Sequence, residues 1–204
     1  MKDFEIGSII LFGSHKWRIL DVKKNMILII TDEIIERRPY HNVYEEITWA
    51  DCTLRKYLNG DFYDEFIETD KAKIIPVKNK NMNNQWYGTN GGKETQDKIF
   101  LLSIEEVVCK YFGDSSENLL NRSKKQLYWF QKKDKNNDKR VAIFSDESSK
   151  GTWWWLRSPG RVGVKAVYIH GNGNIGIQGN NILKGNIADG KCRGGVRPAL
   201  WLKL

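Results

Sequence analysis

The sequence predicts an α+β domain in which strands outnumber helices. Two stretches, 48–59 and 103–112, place apolar residues at helical spacing. Around them lie short runs of β-branched and aromatic residues, separated by turns that contain Gly and Asn, which is typical of antiparallel strands. The chain has 204 residues and is 40% hydrophobic, enough to bury one sizeable core. We therefore expect one domain over residues 1–204.

The N-terminal residues 6–35 predict a β-hairpin followed by a further strand. The first turn is expected at Gly13-Ser14 and the second at 23–25. The next run, Met26 to Ile30, is almost wholly apolar. Such a run predicts a strand that is buried on both faces.

The first helix is predicted from the spacing of Leu54, Tyr57 and Leu58. Thr48 or Asp51 is expected as its N-cap, and Asn59-Gly60 as its end. Further segments are expected in this order: a short helix at 62–66, an extended segment at 74–77, a surface loop at 78–98 and a buried strand at 98–102.

The second main helix is predicted to begin at Ser103. Glu106 follows three residues later, which is the spacing of a capping box. An apolar stripe then continues the helical period, and Gly113 ends it. The stripe consists of Ile104, Val107, Val108 and Tyr111.

The last 92 positions divide into a polar part and a β-rich part. Residues 113–150 are predicted to form a basic, polar insertion. Residues 151–204 predict a meander with a turn at 171–174 and a closing strand at 196–202. Pro198 would lie at an edge or bulge of that strand, because proline cannot donate to the ladder.

Charge is distributed unevenly along the chain, whose net charge is +8. Positions 1–100 hold 15 basic and 16 acidic residues, whereas positions 101–204 hold 18 basic and 9 acidic residues. An anionic partner would therefore dock on the second half. No apolar run is long enough to span a membrane, so we expect no membrane span.

The three cysteines, Cys52, Cys109 and Cys192, are far apart in sequence, which does not describe a disulfide framework. Cys52 and Cys109 are expected to be buried as small hydrophobes. This cysteine usage, with no N-terminal signal pattern, favours a cytoplasmic location. A cell-surface location stays open if a signal or a neighbouring domain was removed.

Five ordered motifs resemble a bacterial domain-of-unknown-function family, family 6273. They start with Phe12-Gly13 and Trp17 to Leu20, then Thr48-Trp49 with Leu54 to Asn59, then Asp97 to Ser103. The last two are Trp154-Trp155-Leu156-Arg157-Ser158-Pro159-Gly160 and Gly195-Val196-Arg197-Pro198-Ala199-Leu200. They span some 190 positions.

The C-terminal motif is also similar to the end of the formylglycine-generating and sulfatase-modifying superfamily. That resemblance implies a C-type-lectin-like fold, in which N- and C-terminal strands pair and two main helices pack on an antiparallel sheet, followed by a loop-rich β region. The enzymes of that superfamily hold copper(I) with two nearby cysteines. Here only Cys192 lies in the matching region. A diverged modifying enzyme is therefore a weaker alternative, and neither a metal nor another cofactor is expected.

The most unusual local feature is the run Trp153-Trp154-Trp155. Alternation along a strand places Trp153 and Trp155 on one face and Trp154 on the other. One face must belong to the core, and the other is a candidate stacking platform for a sugar, a base or an aromatic side chain. Core packing of both faces is the alternative.

Two arginines recur in the motifs, Arg157 and Arg197. Each either satisfies backbone carbonyls in the interior or anchors an anionic ligand. We include Arg157 in a hypothetical ligand-binding set with loop arginines and the tryptophans. The set is Trp153, Trp155, Arg157, Arg161 and Arg193.

A basic stretch inside the insertion encloses aromatic residues, which is the pattern of single-stranded nucleic-acid binding. Its candidate polyanion-binding residues are Lys124, Lys125, Trp129, Lys132 and Lys133. The alternative is a solvated loop in a lysine-rich chain.

Taken together, the sequence favours a non-catalytic binding module whose site lies on the 78–97 loop, the 113–150 insertion and the loops of 157–195. Its partner would be a protein, a glycan or an anionic polymer. A nucleic-acid-associated protein is the first alternative, and a modifying enzyme is the second.

Overall fold

The computed structural model describes residues 4–116, 134–144, 150–183 and 194–204. Its strands are β1 (Ile9–Phe12), β2 (His15–Lys23), β3 (Met26–Thr31), β4 (Glu36–Arg38), β5 (Ile74–Ile75), β6 (Val77–Asn79), β7 (Thr95–Asp97), β8 (Trp154–Pro159), β9 (Lys165–Ile169), β10 (Ile175–Asn181), β11 (Gly194–Val196) and β12 (Ala199–Lys203). Its helices are α1 (Thr53–Asn59), α2 (Asp61–Asp64), α3 (Glu68–Lys71), a π-helix (Glu106–Lys110) and α4 (Asn137–Arg140). The α+β prediction is confirmed.

The first sheet is antiparallel and has the order β1-β2-β3-β12-β5. Its middle strand β3 is buried along almost its whole length, as the apolar run predicts. The partner of β3 on one side is β12, in the register Ala199↔Ile30 to Lys203↔Met26. Strands from the two ends of the chain therefore pair.

The second sheet has the order β10-β9-β8-β11-β4. Its middle strand β8 is buried at every position. Only the β8–β11 contact among these neighbours is parallel, with Gly195 opposite Trp154. The strands β6 and β7 form a two-stranded ladder at the two ends of the predicted 78–98 loop, and β6 begins at Val77 in the predicted extended segment.

The closing strand predicted over 196–202 is in fact two strands in two sheets. β11 pairs in the second sheet and β12 in the first. Arg197 and Pro198 form the short link between them. Proline lacks an N–H and cannot continue a ladder, so the chain changes sheet at this point. The motif arginine Arg197 is thereby placed where the two sheets meet.

Helix α1 agrees with the predicted spacing and has Gly60 as its C-cap, but its N-cap is neither Thr48 nor Asp51. Cys52 caps it, since the Cys52 sulfur accepts a hydrogen bond from Arg55 N (3.4 Å). Cysteine is not among the preferred capping residues, so the sequence carried no signal for it.

The capping box at the second main helix is confirmed. Ser103 N donates to Glu106 Oε2 (2.8 Å), and Glu106 N donates to Ser103 Oγ (3.2 Å). The predicted α-helix, however, continues as a π-helix, marked by the bond from Tyr111 N to Glu106 O (2.9 Å). Such π segments occur often at functional sites.

The strand predicted at 98–102 is also corrected. The segment is buried, but Phe100 forms only an isolated bridge with Ala199. Two backbone hydrogen bonds join these residues, at 2.9 and 2.7 Å. The segment therefore lies beside Ala199, the first residue of β12, and leads directly into Ser103.

Candidate functional site

The tryptophan run does not offer the open platform that alternation suggested. Trp154 and Trp155 are both fully buried, and Trp153 is half-buried. Trp155 Nε1 donates to Arg38 O (2.9 Å), and Trp153 packs edge-to-face on Trp155 with ring centroids 4.7 Å apart. A Cβ at Gly194 would lie 2.1 Å from Trp155 Nε1, so the backbone of β11 covers that ring closely. Both faces of β8 are core.

Arg157 is buried and forms an ion pair with Glu106. Its Nη1 donates to Glu106 Oε2 (2.5 Å) and to Leu101 O (2.8 Å), and its Nη2 donates to Glu106 Oε1 (3.0 Å). This is a bidentate arginine–carboxylate pair. Sequence reasoning foresaw the backbone carbonyl but not the carboxylate, which lies 51 positions away in the chain.

The pair also determines the protonation state of Glu106. Burial alone would raise the pKa of this carboxyl, but Arg157 and the N–H of Ser103 together hold the pKa below its usual range. Glu106 is therefore a carboxylate at neutral pH. The two charges of the pair therefore compensate each other, although the buried Nε of Arg157 has no hydrogen-bond partner.

A cleft of about 370 Å³ lies above this pair; we name it the Arg157 cleft. One wall is the 78–86 segment and the other is the 103–110 segment. Its lining residues are Lys78, Asn79, Lys80, Met82, Asn83, Asn84, Trp86, Ser103, Ile104, Glu105, Glu106, Lys110, Arg157 and Ser158. The size is within the range of small-molecule sites.

The 78–86 wall is held in place by buried polar side chains. Asn84 Nδ2 donates to Pro159 O (2.9 Å) and Ile177 O (3.1 Å), and its Oδ1 accepts from Trp86 N (3.0 Å). At the base of the wall, the fully buried Asp97 accepts from Asn79 Nδ2 (2.9 Å) and Arg55 Nε (2.6 Å). This wall is therefore fixed to both α1 and the second sheet.

The rim of the Arg157 cleft is cationic. Lys78, Lys80 and Lys110 are exposed there. Lys78 forms a salt bridge with Glu94 (2.7 Å), and Lys110 forms a longer one with Glu105 (3.8 Å). The lining holds four basic residues and two acidic ones, so it has an excess of two positive charges.

Of the other predicted ligand-binding residues, Arg161 is exposed beside this region but does not line the cleft. Its guanidinium lies 5.8 Å from the Tyr87 ring centroid, and its carbonyl accepts from Thr89 Oγ1 (2.8 Å). Arg193 lies outside the described residues, as do Cys192 and all of the candidate polyanion-binding residues. Those residues are Lys124, Lys125, Trp129, Lys132 and Lys133.

A second, larger cleft of about 700 Å³ includes Arg197; we name it the Arg197 cleft. Arg197 Nε donates to Thr31 O (2.9 Å), and its Nη2 lies 3.3 Å from Asp32 O. The guanidinium lies 5.1 Å from the Trp154 ring centroid and 5.9 Å from that of Phe112. The sequence position of Arg197 does not distinguish it from Arg157, whereas the surroundings of the two side chains differ.

The described cysteines are not paired with each other. Cys52 is fully buried, and burial raises the pKa of its thiol to about 12. Cys109 is half-buried, with its pKa also raised by burial. Within residues 4–116, 134–144, 150–183 and 194–204, no group of three or more His, Cys, Asp or Glu side chains could hold a metal ion. None of the helices described there is both long and apolar enough to cross a membrane.

Comparison with known proteins gives one match. A family model described as "Domain of unknown function (DUF6273)" matches residues 24–204, which is most of the chain. No curated protein and no solved structure matches the chain.

Proposed function

This chain belongs to the DUF6273 family, and from that premise we propose that it is a non-catalytic binding domain whose Arg157 cleft holds an anionic polymer of the glycan type. The observation that carries the proposal is the arrangement of charge in the cleft. Three exposed lysines surround a floor whose own ion pair is internally satisfied. A ligand anion would therefore meet Lys80, which has no salt bridge among the described residues, and would compete with Glu94 and Glu105 for Lys78 and Lys110. The floor carboxylate Glu106 is already neutralised by Arg157.

The chemistry of the cleft suits a hydroxyl-rich ligand as well as a charged one. Ser103, Ser158 and Asn83 bring hydroxyl and amide groups to the lining, and Trp86 supplies an aromatic edge. Lysine is a strongly hydrated point charge on a flexible stem, so it recognises carboxylate, phosphate or sulfate with little geometric demand. A polymer that repeats its charge would engage several rim lysines at once.

A binding role fits the described groups better than a catalytic one. Glu106 is ionised and already bonded to Arg157, so it has no proton to donate as a general acid. Ser158 Oγ accepts a hydrogen bond from Ile104 N (3.0 Å), and no described histidine or carboxylate is bonded to it. An activated serine needs such a base.

The finer fold assignment, a C-type-lectin-like domain, is part of the same proposal. The pairing of β3 with β12 and the loops that build the Arg157 cleft beside β8 support it. The related proposal of a diverged modifying enzyme finds less support. The Cys52 thiol is buried and protonated at neutral pH, whereas metal-binding cysteines act as thiolates.

The test is binding of labelled dextran sulfate, followed by fluorescence anisotropy, with neutral dextran as the uncharged comparison. The double variant K80E/K110E should weaken binding at least tenfold, about 1.4 kcal/mol, because two rim ammonium groups become carboxylates. The matched control K16E/K24E changes the net charge equally at two exposed lysines outside both clefts. Equal weakening by both pairs would show only a net-charge effect and would contradict the proposal.

The nucleic-acid alternative is supported by the basic excess of residues 101–204. It predicts that a single-stranded DNA oligonucleotide binds more tightly than dextran sulfate in the same assay. Binding would then depend on Lys132 and Lys133 rather than on Lys80 and Lys110. For location we keep the cytoplasm as the proposal, from cysteine usage.

A further inference from the structure

The charge of Arg197 is buried without a matching carboxylate. The residue is 2% exposed, and its hydrogen bonds go to two neutral backbone carbonyls, those of Thr31 and Asp32. No described carboxylate lies within ion-pair distance of it, and its Nη1 has no hydrogen-bond partner. A buried charge of this kind is costly unless something compensates it.

The nearest charges do not provide that compensation. The carboxylate of Asp32 is bonded to Arg18, at 2.6 Å. Burial lowers the pKa of Arg197 to about 10; Asp32 opposes this shift, and Arg18 adds to it. The guanidinium is therefore charged at neutral pH in surroundings that disfavour its charge.

Arg197 lines the Arg197 cleft, whose volume is about 700 Å³. The walls combine apolar and charged side chains and come from the N-terminal strands, the end of the π-helix and the 141–143 segment. At this cleft Ile6 is 67% exposed and Ile143 is 36% exposed. An occupant with an apolar body would cover both side chains and gain the hydrophobic free energy of that burial.

The remaining charges of the lining are mixed. Lys110 and Lys139 are exposed there and add to the positive field, while Glu33 and Asp138 oppose it. Together with Arg18, Asp32 and Arg197, the lining has four cations and three anions. The cleft favours an anion because its buried charge is the Arg197 guanidinium. The low dielectric around the guanidinium screens its field only weakly.

We propose that the Arg197 cleft binds a small carboxylate with an apolar body, whose anion compensates Arg197 and whose body covers Ile6 and Ile143. This site is separate from the Arg157 cleft and does not depend on the function proposed there. Lys110 is the one residue that lines both clefts.

The probe is octanoate, titrated below its micelle concentration by isothermal calorimetry, with octanol and octylamine as neutral and cationic matches of equal chain length. Octanoate should bind at least about tenfold more tightly than either match. The variant R197M should reduce octanoate binding to the level of octanol and leave octanol unchanged. A variant R197M that fails to fold would be replaced by the next pair.

The second variant, I143E, adds a carboxylate at a partly exposed position of the cleft and should weaken octanoate binding by about tenfold. Its control is L11E, because Leu11 is 75% exposed and lines neither cleft. Equal affinity for octanoate and octanol, no heat of binding, or equal effects of I143E and L11E would each overturn the proposal.

Discussion

Arg157 and Arg197 each lie in one of the two C-terminal motifs, yet the structure gives them different surroundings. Arg157 meets Glu106 in a bidentate pair, and its charge is neutralised inside the protein. Arg197 donates to the carbonyls of Thr31 and Asp32 and lies against the Trp154 and Phe112 rings, but it forms no ion pair with a described carboxylate. The difference shows that a motif arginine is structural or available to a ligand according to what the fold places opposite it. The three predictions below test that contrast, from the largest expected effect to the smallest.

The largest effect is expected from removing Arg157. R157M leaves the Glu106 carboxylate buried and unpaired, so we expect a loss of about 3–5 kcal/mol in the free energy of unfolding. R197M removes a charge that has no carboxylate partner but also removes the hydrogen bonds to Thr31 O and Asp32 O, so its loss should be smaller, about 1–3 kcal/mol. Urea denaturation of both variants measures the two losses.

A double variant separates the cost of an unpaired charge from the cost of lost packing in the R157M stability loss. R157M/E106L removes both partners, so it should recover at least about 1 kcal/mol relative to R157M alone. Equal losses for R157M and R197M, with no recovery in the double variant, would abolish the distinction between the two arginines.

An intermediate effect is expected in the pH dependence of stability. The folded pKa of Glu106 is below its unfolded value, so its pair stabilises the protein above the usual glutamate pKa, about 4.3, and that contribution is lost as the pH falls through the folded pKa. E106Q cannot titrate. The stability difference between the wild type and E106Q should therefore shrink on acidification in thermal melts. A constant difference across that pH range would argue against an ionised pair.

The smallest effect on stability is expected at the rim of the Arg157 cleft. K80E/K110E changes exposed side chains, so the free energy of unfolding should move by no more than about 0.5 kcal/mol while dextran sulfate binding falls. Urea denaturation beside the anisotropy assay checks this. A large stability loss would mean that the lysines act in folding and that the binding result has to be reinterpreted.

Local signals in the sequence predicted local structure well. The Ser103–Glu106 capping box, the spacing of α1 and the doubly buried β3 each depend on residues close together in the chain, and each is present. The π-helix and the Cys52 cap were missed, although both are local. The first needs an i→i+5 bond that the apolar stripe does not reveal, and the second uses an atypical capping residue.

What the sequence could not supply was mainly long-range pairing. The Arg157–Glu106 pair joins positions 51 apart, and Asp97 accepts from Arg55, 42 positions away. The burial of both faces of β8 depends on residues far away in the chain, since Trp154 packs against Phe112 and Trp155 packs against Tyr40. Alternation within Trp153 to Trp155 could not decide between a stacking platform and core packing, and the burial of Trp155 favours core packing for that residue.

The change of sheet at Arg197 and Pro198 has a consequence for how the protein is made. β12 lies between β3 and β5, and β11 lies between β8 and β4, so each sheet has a gap until these residues are present. On the ribosome, both gaps persist until residues 194–203 leave the exit tunnel. Most of the apolar surface of this domain is synthesised before either sheet can close, so the nascent domain has unpaired strand edges until then. Stalled or prematurely terminated chains of this protein should therefore be substrates for chaperones and proteases.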